Sequence, residues 1–335
     1  MLPSGEVAVS GGLFLIAAMR YRVAALCRAD LVDSMSDTAL RSSASPASAA
    51  SRLALVALLV GGVAISGSPI FVRLSEVGPM ATAFWRVALA LLPLLIWAKA
   101  TEKTVADSRP ARFADYGMLV LPGVFLAADL AAWHLSLHMT SVANATLLAN
   151  LAPIFVTLGS WLLFRAHVSG VFLAGLATTL AGVVILKGGP AALGDGHLAG
   201  DATAIVAAFF YAGYMLSIGR LRSRYSTNRI MIWSTASAAV CMLPLALLFE
   251  DSFLPVAFFG WAMLVGLALI SHAGGQALII YALAFLAPAF SSLTLLLQPV
   301  VAAVLAWLLL SEPIGLMQAI GGTVVLAGIM VARRG

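Results

Sequence analysis

Ionisable side chains are spaced along this chain so as to leave long gaps between them. No Asp, Glu, Lys, Arg or His occurs in residues 53–72, 139–164, 168–186, 202–219, 230–249, 252–271, 273–311 or 313–332. Roughly 20 apolar residues cross the ~30 Å hydrocarbon layer of a bilayer once. Apolar and polar positions do not alternate inside these runs, so the pattern predicts helices and not barrel strands. The 39-residue run 273–311 is too long for one crossing and divides near Leu286-Ala287-Pro288, where proline opposes helix continuation. Its first part joins the preceding run across His272, giving one helix over about 259–285. Two further spans emerge if isolated interruptions are tolerated: 79–97, broken by Arg86, and 116–137, broken by Asp129 and His134. The expectation is an all-α membrane protein with ten transmembrane helices.

Composition excludes a soluble alternative. Hydrophobic residues make up 62% of the 335, charged residues 10%, and mean hydropathy is +1.03. A packed soluble domain still needs a polar exterior, which this chain cannot supply. The net charge of +5 does not imply nucleic acid, because the basic residues gather in short loops. With the N-terminus inside, alternate loops place twelve Lys and Arg on the inner side and two, Arg73 and Lys187, on the outer. That asymmetry predicts an inner-membrane, multi-pass protein with both termini cytoplasmic. Cys27 and Cys241 make neither a disulfide framework nor a metal site, and the five histidines are dispersed.

Residues 1–51 do not share the pattern. An apolar stretch, 7–19, is short and followed by Arg20 and Arg22, and 40–51 is rich in Ser and Ala. The extension reads as a disordered tail or short interfacial segment. A signal peptide is a weaker reading, since no basic region precedes the apolar stretch. Translation from Met35 is the third.

The C-terminal parts of the two halves repeat. Residues 141–186 align without gaps on 287–332 at an offset of 146, with eleven of 46 pairs identical. They include Pro153 with Pro299, Trp161 with Trp307, Gly175 with Gly321 and Gly182 with Gly328. Trp85 matches Trp233 if the offset there is 148. The first repeat is assigned to 52–187, a linker to 188–200 and the second repeat to 201–333. Five helices per repeat reverse the second copy relative to the first. Such inverted repeats are typical of secondary transporters, which bind substrate near mid-membrane between the copies. Duplication for stable packing alone is the plainer account, since Gly175 and Gly182 also serve close helix contact.

Charges inside a membrane are functional candidates because hydrocarbon penalises them by about 2.5–3.5 kcal/mol on insertion scales. At ~1.5 Å per residue, Arg86, Asp129 and Asn150 each fall roughly 10–13 Å below the outer face. We therefore expect Arg86 to pair with Asp129 and Asn150 to border the same cavity. A substrate carboxylate or phosphate then competes for Arg86 while Asp129 takes a proton. A static ion pair locking two helices is the structural alternative. His134 lies about 140° around the helix from Asp129, which favours packing over lining. His272 either lines the pathway or bonds a neighbouring helix, with Gln276 one turn further on its face. Gln298 precedes Pro299, which frees a helix carbonyl near mid-membrane. Tyr211 and Tyr214 are candidate lining residues, although aromatic packing is the better account of them.

Several segments together resemble the drug/metabolite transporter superfamily, EamA type, over about 53–333. They are Phe84-Trp85-Arg86, the stretch from Thr140 to Pro153 and its counterpart from Ala289 to Pro299. Leu310-Ser311-Glu312-Pro313, with Gln318 and Gly321-Gly322 after it, adds to the likeness. The resemblance implies two tandem five-helix units and export of small polar metabolites such as amino acids. One position departs from that pattern: an acid after the fourth helix, matched by Glu312 in the second unit, is replaced by Ala166 between Arg165 and His167. No nucleotide motif or cofactor signature is present, because Gly61-Gly62 and Gly321-Gly322 lack a strand–loop–helix context. No nucleophile arrangement is recognisable either. The expected partners are a small-molecule substrate, the lipid bilayer and protons. The readings of another class are an intramembrane enzyme acting on a lipid or amphiphile, and a non-transporting sensor.

Overall fold

The computed structural model describes residues 46–101, 110, 112–140, 142–186, 198–310 and 315–334. The expectations for most of the N-terminal extension, for Glu312 and for most of the linker fall outside these residues. Contacts divide the chain into two units, Met1–Ala50 and Ser51–Gly335.

Every regular element among the described residues is helical. In chain order they are α1 (Pro46–Ser66), α2 (Ser68–Arg73), α3 (Pro79–Thr101), α4 (Phe113–Met139), α5 (Val142–Ala149), α6 (Ala152–Phe164) and α7 (Gly170–Leu186). There follow α8 (Leu198–Leu221), α9 (Thr227–Phe249), α10 (Phe258–Gly266), a π-helical segment (Leu267–Gln276), α11 (Ala277–Ala282), α12 (Pro288–Thr294), α13 (Leu297–Leu310) and α14 (Leu316–Ala332). Eight stretches among them are long and apolar enough to cross a membrane, and α7 and α14 are two shorter apolar helices. Large apolar side chains such as Leu92, Leu162, Leu248 and Met330 stand more than 60% exposed on the outside, as hydrocarbon permits and water does not.

Two expected continuous spans are broken. The stretch 142–164 divides at Asn150–Leu151, and 288–310 divides at Leu295–Leu296. Each break lies just ahead of a proline, Pro153 and Pro299, whose ring lacks an N–H and crowds the carbonyl four residues back. Short i→i+3 bonds carry the chain through: Ile154 N to Leu151 O (2.9 Å) in one, Gln298 N to Leu295 O (2.9 Å) in the other. The stretch expected at 259–285 runs from Phe258 to Ala282, with ten of its 25 residues, Leu267–Gln276, wound as a π-helix.

Helices α7 and α14 meet backbone to backbone. A Cβ on Gly321 would lie 2.2 Å from Leu186 N, and one on Gly182 would lie 2.6 Å from Val325 N. Gly175 and Gly328 are equally tight against Ala332 and Thr179. Small residues in this pattern let two apolar helices associate through dispersion, where no hydrophobic force separates helix from lipid.

Other contacts occur twice, at positions related by similar offsets. Trp85 of α3 meets Trp261 of α10 edge-on at 5.1 Å, and Trp233 of α9 meets Tyr116 of α4 edge-on at 5.2 Å. Glu76, before α3, accepts hydrogen bonds from Val256 N (3.0 Å) and Ala257 N (2.9 Å) at the start of α10. At the corresponding place before α9, Arg224 pairs with Asp115 in the first turn of α4, Nη1 to Oδ1 at 2.8 Å. The main apolar core joins α3, α4, α8, α9 and α10, around Leu94, Leu119, Met215, Ile230 and Leu264.

Candidate functional site

A cavity of about 560 Å³ opens among these helices. Arg86 reaches it from α3, Asp129 and His134 from α4, and Asn150 from the break between α5 and α6. Tyr211 of α8, Gln276 at the end of the π-helical segment and Gln298 of α13 complete the polar wall from the other side. Seven of the eight residues singled out from sequence thus line one space. The proline breaks explain two of them. Asn150 and Gln298 stand within two residues of an interrupted helix, and both line the cavity there.

Arg86 and Asp129 do not form the expected direct pair. No nitrogen of Arg86 lies within 4.0 Å of an Asp129 carboxylate oxygen, and Arg86 Nε is buried without a hydrogen-bond partner. Both side chains are half-buried on the cavity wall. A guanidinium and a carboxylate set apart in one cavity can receive a molecule bearing both charges between them.

His134 corrects the helical-wheel argument. The α4 residues on the cavity wall are Leu126, Asp129, Leu130, Trp133 and His134, a stripe following i, i+3, i+4, i+7 and i+8. Asp129 and His134 occupy its two edges, so an angular separation of ~140° still leaves both facing one broad space. His134 Nδ1 donates to Leu130 O at 2.7 Å, which fixes the ring and leaves Nε2 as the acceptor in the neutral form.

His272 is the exception. It is 2% exposed, does not line the cavity, and its Nε2 shares a 2.9 Å hydrogen bond with Thr235 Oγ1 of α9. Of its two expected roles, this is the tie to a neighbouring helix. Gln276, four residues on at the end of the π-helical segment, does reach the cavity. Its Nε2 donates to Tyr214 Oη at 2.5 Å. Tyr214 is 1% exposed and stands behind Tyr211, ring centroids 6.0 Å apart, so Tyr211 lines and Tyr214 packs.

Sequence reasoning missed Ser66 and Ser68, Thr82, Ser292 and Gln318, which also line the cavity. A signal existed for the first two: they flank Gly67, where α1 gives way to α2 in an otherwise apolar run. The lining drawn from α1–α2, the start of α3, the end of α4, Leu186 and Gln318 belongs to one end of the bundle. The opposite end, where α4 begins and α8 ends, is tied by Arg224–Asp115 and by Arg222 Nε donating to Ile280 O at 3.1 Å.

Comparison with known proteins agrees with this architecture. A solved crystal structure superposes with a TM-score of 0.69 at 21% identity, covering 85% of this chain and 97% of that one. An "Uncharacterized transporter" of Archaeoglobus fulgidus is 28% identical over 272 residues, 79% of this chain and 91% of its own. A "Probable terminal-alkyne amino-acid exporter" of Streptantibioticus cattleyicolor is 27% identical over 68% of this chain and 76% of its own. The pseudopaline exporter of Pseudomonas aeruginosa is 27% identical over 57% and 64% respectively. Residues 52–187 and 198–334 each match the family described as EamA-like transporters. With both halves matched, this multi-pass helical chain belongs to the EamA-like transporter family.

Proposed function

We propose that the protein is a secondary active exporter of small zwitterionic metabolites such as amino acids, working by alternating access and driven by protons. Ten spans form two inverted five-helix repeats, with both termini cytoplasmic in the inner membrane. The cavity then opens to the outside, and the Arg224–Asp115 end faces the cytoplasm. Arg86 receives the substrate carboxylate, Asp129 its ammonium group, and Asn150, His134, Tyr211, Gln276 and Gln298 fill the remaining polar contacts. Asp129 exchanges the ammonium group for a proton on the return step. His272 holds α9 against the π-helical segment and touches no substrate.

One observation carries this reading: the two opposite charges line one cavity without a direct ion pair between them. Leaving a charge without a direct partner in a membrane interior is expensive unless a ligand supplies that partner. The contacts repeated at offsets near 146 support the inverted arrangement, and the exporter names of two relatives support the direction. The test is counterflow in proteoliposomes, in which unlabelled amino acid inside drives uptake of the labelled compound. Exchange of intact solute supports a carrier. Chemical conversion without exchange, or no exchange with any zwitterion in a broad panel, defeats the proposal.

A further inference from the structure

A second cavity, of about 820 Å³, lies away from the first, between α6 and the start of α7. Its wall on α6 is the stripe Ile154, Leu158, Trp161 and Leu162, exposed by 40%, 53%, 58% and 67%. The stripe ends at Arg165 and His167. From Ile154 to Arg165 the rise at ~1.5 Å per residue is roughly 16 Å, about half the ~30 Å hydrocarbon layer. The groove is therefore one leaflet long, apolar over its length and cationic at its mouth.

Two further observations set it apart from an ordinary lipid-facing surface. Arg165 is the one non-glycine residue with positive φ among the described residues, at φ 51° and ψ 33°. It caps α6, and Ala166 N closes the turn on Ser160 O at 3.1 Å. Glycine takes this left-handed position freely, whereas a residue with a Cβ does so under steric strain. Strained positions that persist are candidates for function, and the Arg165 side chain is exposed, with no hydrogen bond or ion pair to another of the described residues. In addition, the C-terminus of α14 packs on α7, with Ala332 N 2.4 Å from where a Gly175 Cβ would stand. That contact brings Arg333 and Arg334 to the same end of the bundle. The segment aligned with Arg165-Ala166-His167 in the second half is Ser311-Glu312-Pro313, so duplication alone does not account for Arg165 and His167.

We propose that this groove is a binding site for an anionic phospholipid. One acyl chain lies along the Ile154–Leu162 face and the phosphate sits against Arg165 and His167. A zwitterionic lipid with the same chains offers the same apolar contact but brings a quaternary ammonium to the cations. The site is separate from the transport cavity and does not depend on the substrate assigned above.

The experiment is lipid titration of the delipidated, detergent-solubilised protein followed by native mass spectrometry, with phosphatidylglycerol and phosphatidylcholine of identical chains. The expected result is tighter binding of phosphatidylglycerol, with the preference falling roughly fivefold in Arg165→Gly, the worth of one cation at a membrane surface. Glycine keeps the left-handed cap and relieves its strain, so loss of folding does not confound this variant. Arg165→Lys keeps the preference. Leu158→Trp, which fills the groove, weakens both lipids and leaves the preference intact. Equal binding of the two lipids by the unaltered protein, or an unchanged preference in Arg165→Gly, overturns the proposal. So does displacement of the lipid by an equal concentration of inorganic phosphate, because the groove would then contribute nothing.

Discussion

Replacing Arg86 by Gln separates a substrate anchor from a structural ion pair, because the two roles predict opposite signs for stability. Truncating one member of a hydrogen-bonded buried pair costs about 3–5 kcal/mol. Here Asp129 is more than 4.0 Å away across a cavity with polar walls and room for water. At that separation in water two unit charges attract by less than about 1 kcal/mol. Against this small loss stands relief of a guanidinium whose Nε is buried without a partner, a group that costs ~1–3 kcal/mol when left unsatisfied. The melting temperature of the substrate-free protein should therefore stay level or rise in Arg86→Gln. Substrate binding should fall, because a hydrogen bond to a charged group contributes about 1.5–3 kcal/mol, or roughly 10–150-fold in Kd. Arg86→Lys should recover only part of it, since an ammonium group lacks the planar fork that grips a carboxylate with two parallel bonds. The measurements are thermal unfolding in detergent and binding of labelled amino acid to the purified protein. At ~2–4 °C per kcal/mol, a drop of roughly 6 °C or more with unchanged affinity would refute the anchor role and restore the static pair.

Asp129→Asn should abolish accumulation driven by a pH gradient yet retain counterflow, measured in the same vesicles with and without the gradient; gradient-driven uptake at the normal proton-to-solute ratio removes Asp129 as the proton acceptor. Gly321→Ala should destabilise the protein by about 1–3 kcal/mol, the usual cost of overpacking, because α7 and α14 must part by roughly 1.2 Å to bring a 2.2 Å approach to ordinary contact; an unaltered melting temperature counts against that interface. Thr235→Val should lower stability by ~1 kcal/mol through loss of the bond to His272 while substrate affinity stays within twofold, and a larger affinity loss would return His272 to the binding site.

Much of this was legible because a bilayer is a strict solvent. A lone charge in an apolar run has to face something other than lipid, which is why Arg86 and Asp129 could be directed to a cavity from sequence alone. The family resemblance rested on short segments at both ends of a duplication, and the family match covers both halves. What was not legible is where helices depart from regular winding. Prolines at 153 and 299 announced a local disturbance, but not that each would divide a span completely. Nothing in Leu267–Gln276 marks a π-helix, so the helical wheel placed His272 and Gln276 on one face when only Gln276 reaches the cavity. The direct Arg86–Asp129 bond failed for a related reason: depth along two helices follows from counting residues, whereas the gap between them depends on how every neighbouring helix packs.

The two halves share a scaffold but not a chemistry, and the difference bears on how substrate moves. Gly175 and Gly182 recur as Gly321 and Gly328, Pro153 as Pro299, and the aromatic contact of Trp85 as that of Trp233. The charges do not recur. At the offset that matches Trp85 with Trp233, Arg86 falls opposite Ser234, and at 146 Asp129 falls opposite Gly275. Packing positions must be kept in both copies because each copy uses them against the other. A charge, by contrast, costs insertion energy wherever it appears, so a second arginine and a second carboxylate would double that cost without adding a second substrate. Arg86 and Asp129 consequently sit on α3 and α4, while α8, the π-helical segment and α13 offer only neutral groups to the cavity, Tyr211, Gln276 and Gln298. A zwitterion held at both ends by one half can remain bound while the neutral half rocks past it, since the contacts that must break there are single uncharged hydrogen bonds of about 0.5–1.5 kcal/mol each. On this argument Gln276→Ala and Gln298→Ala should change the rate of exchange more than substrate affinity, the reverse of the pattern for Arg86.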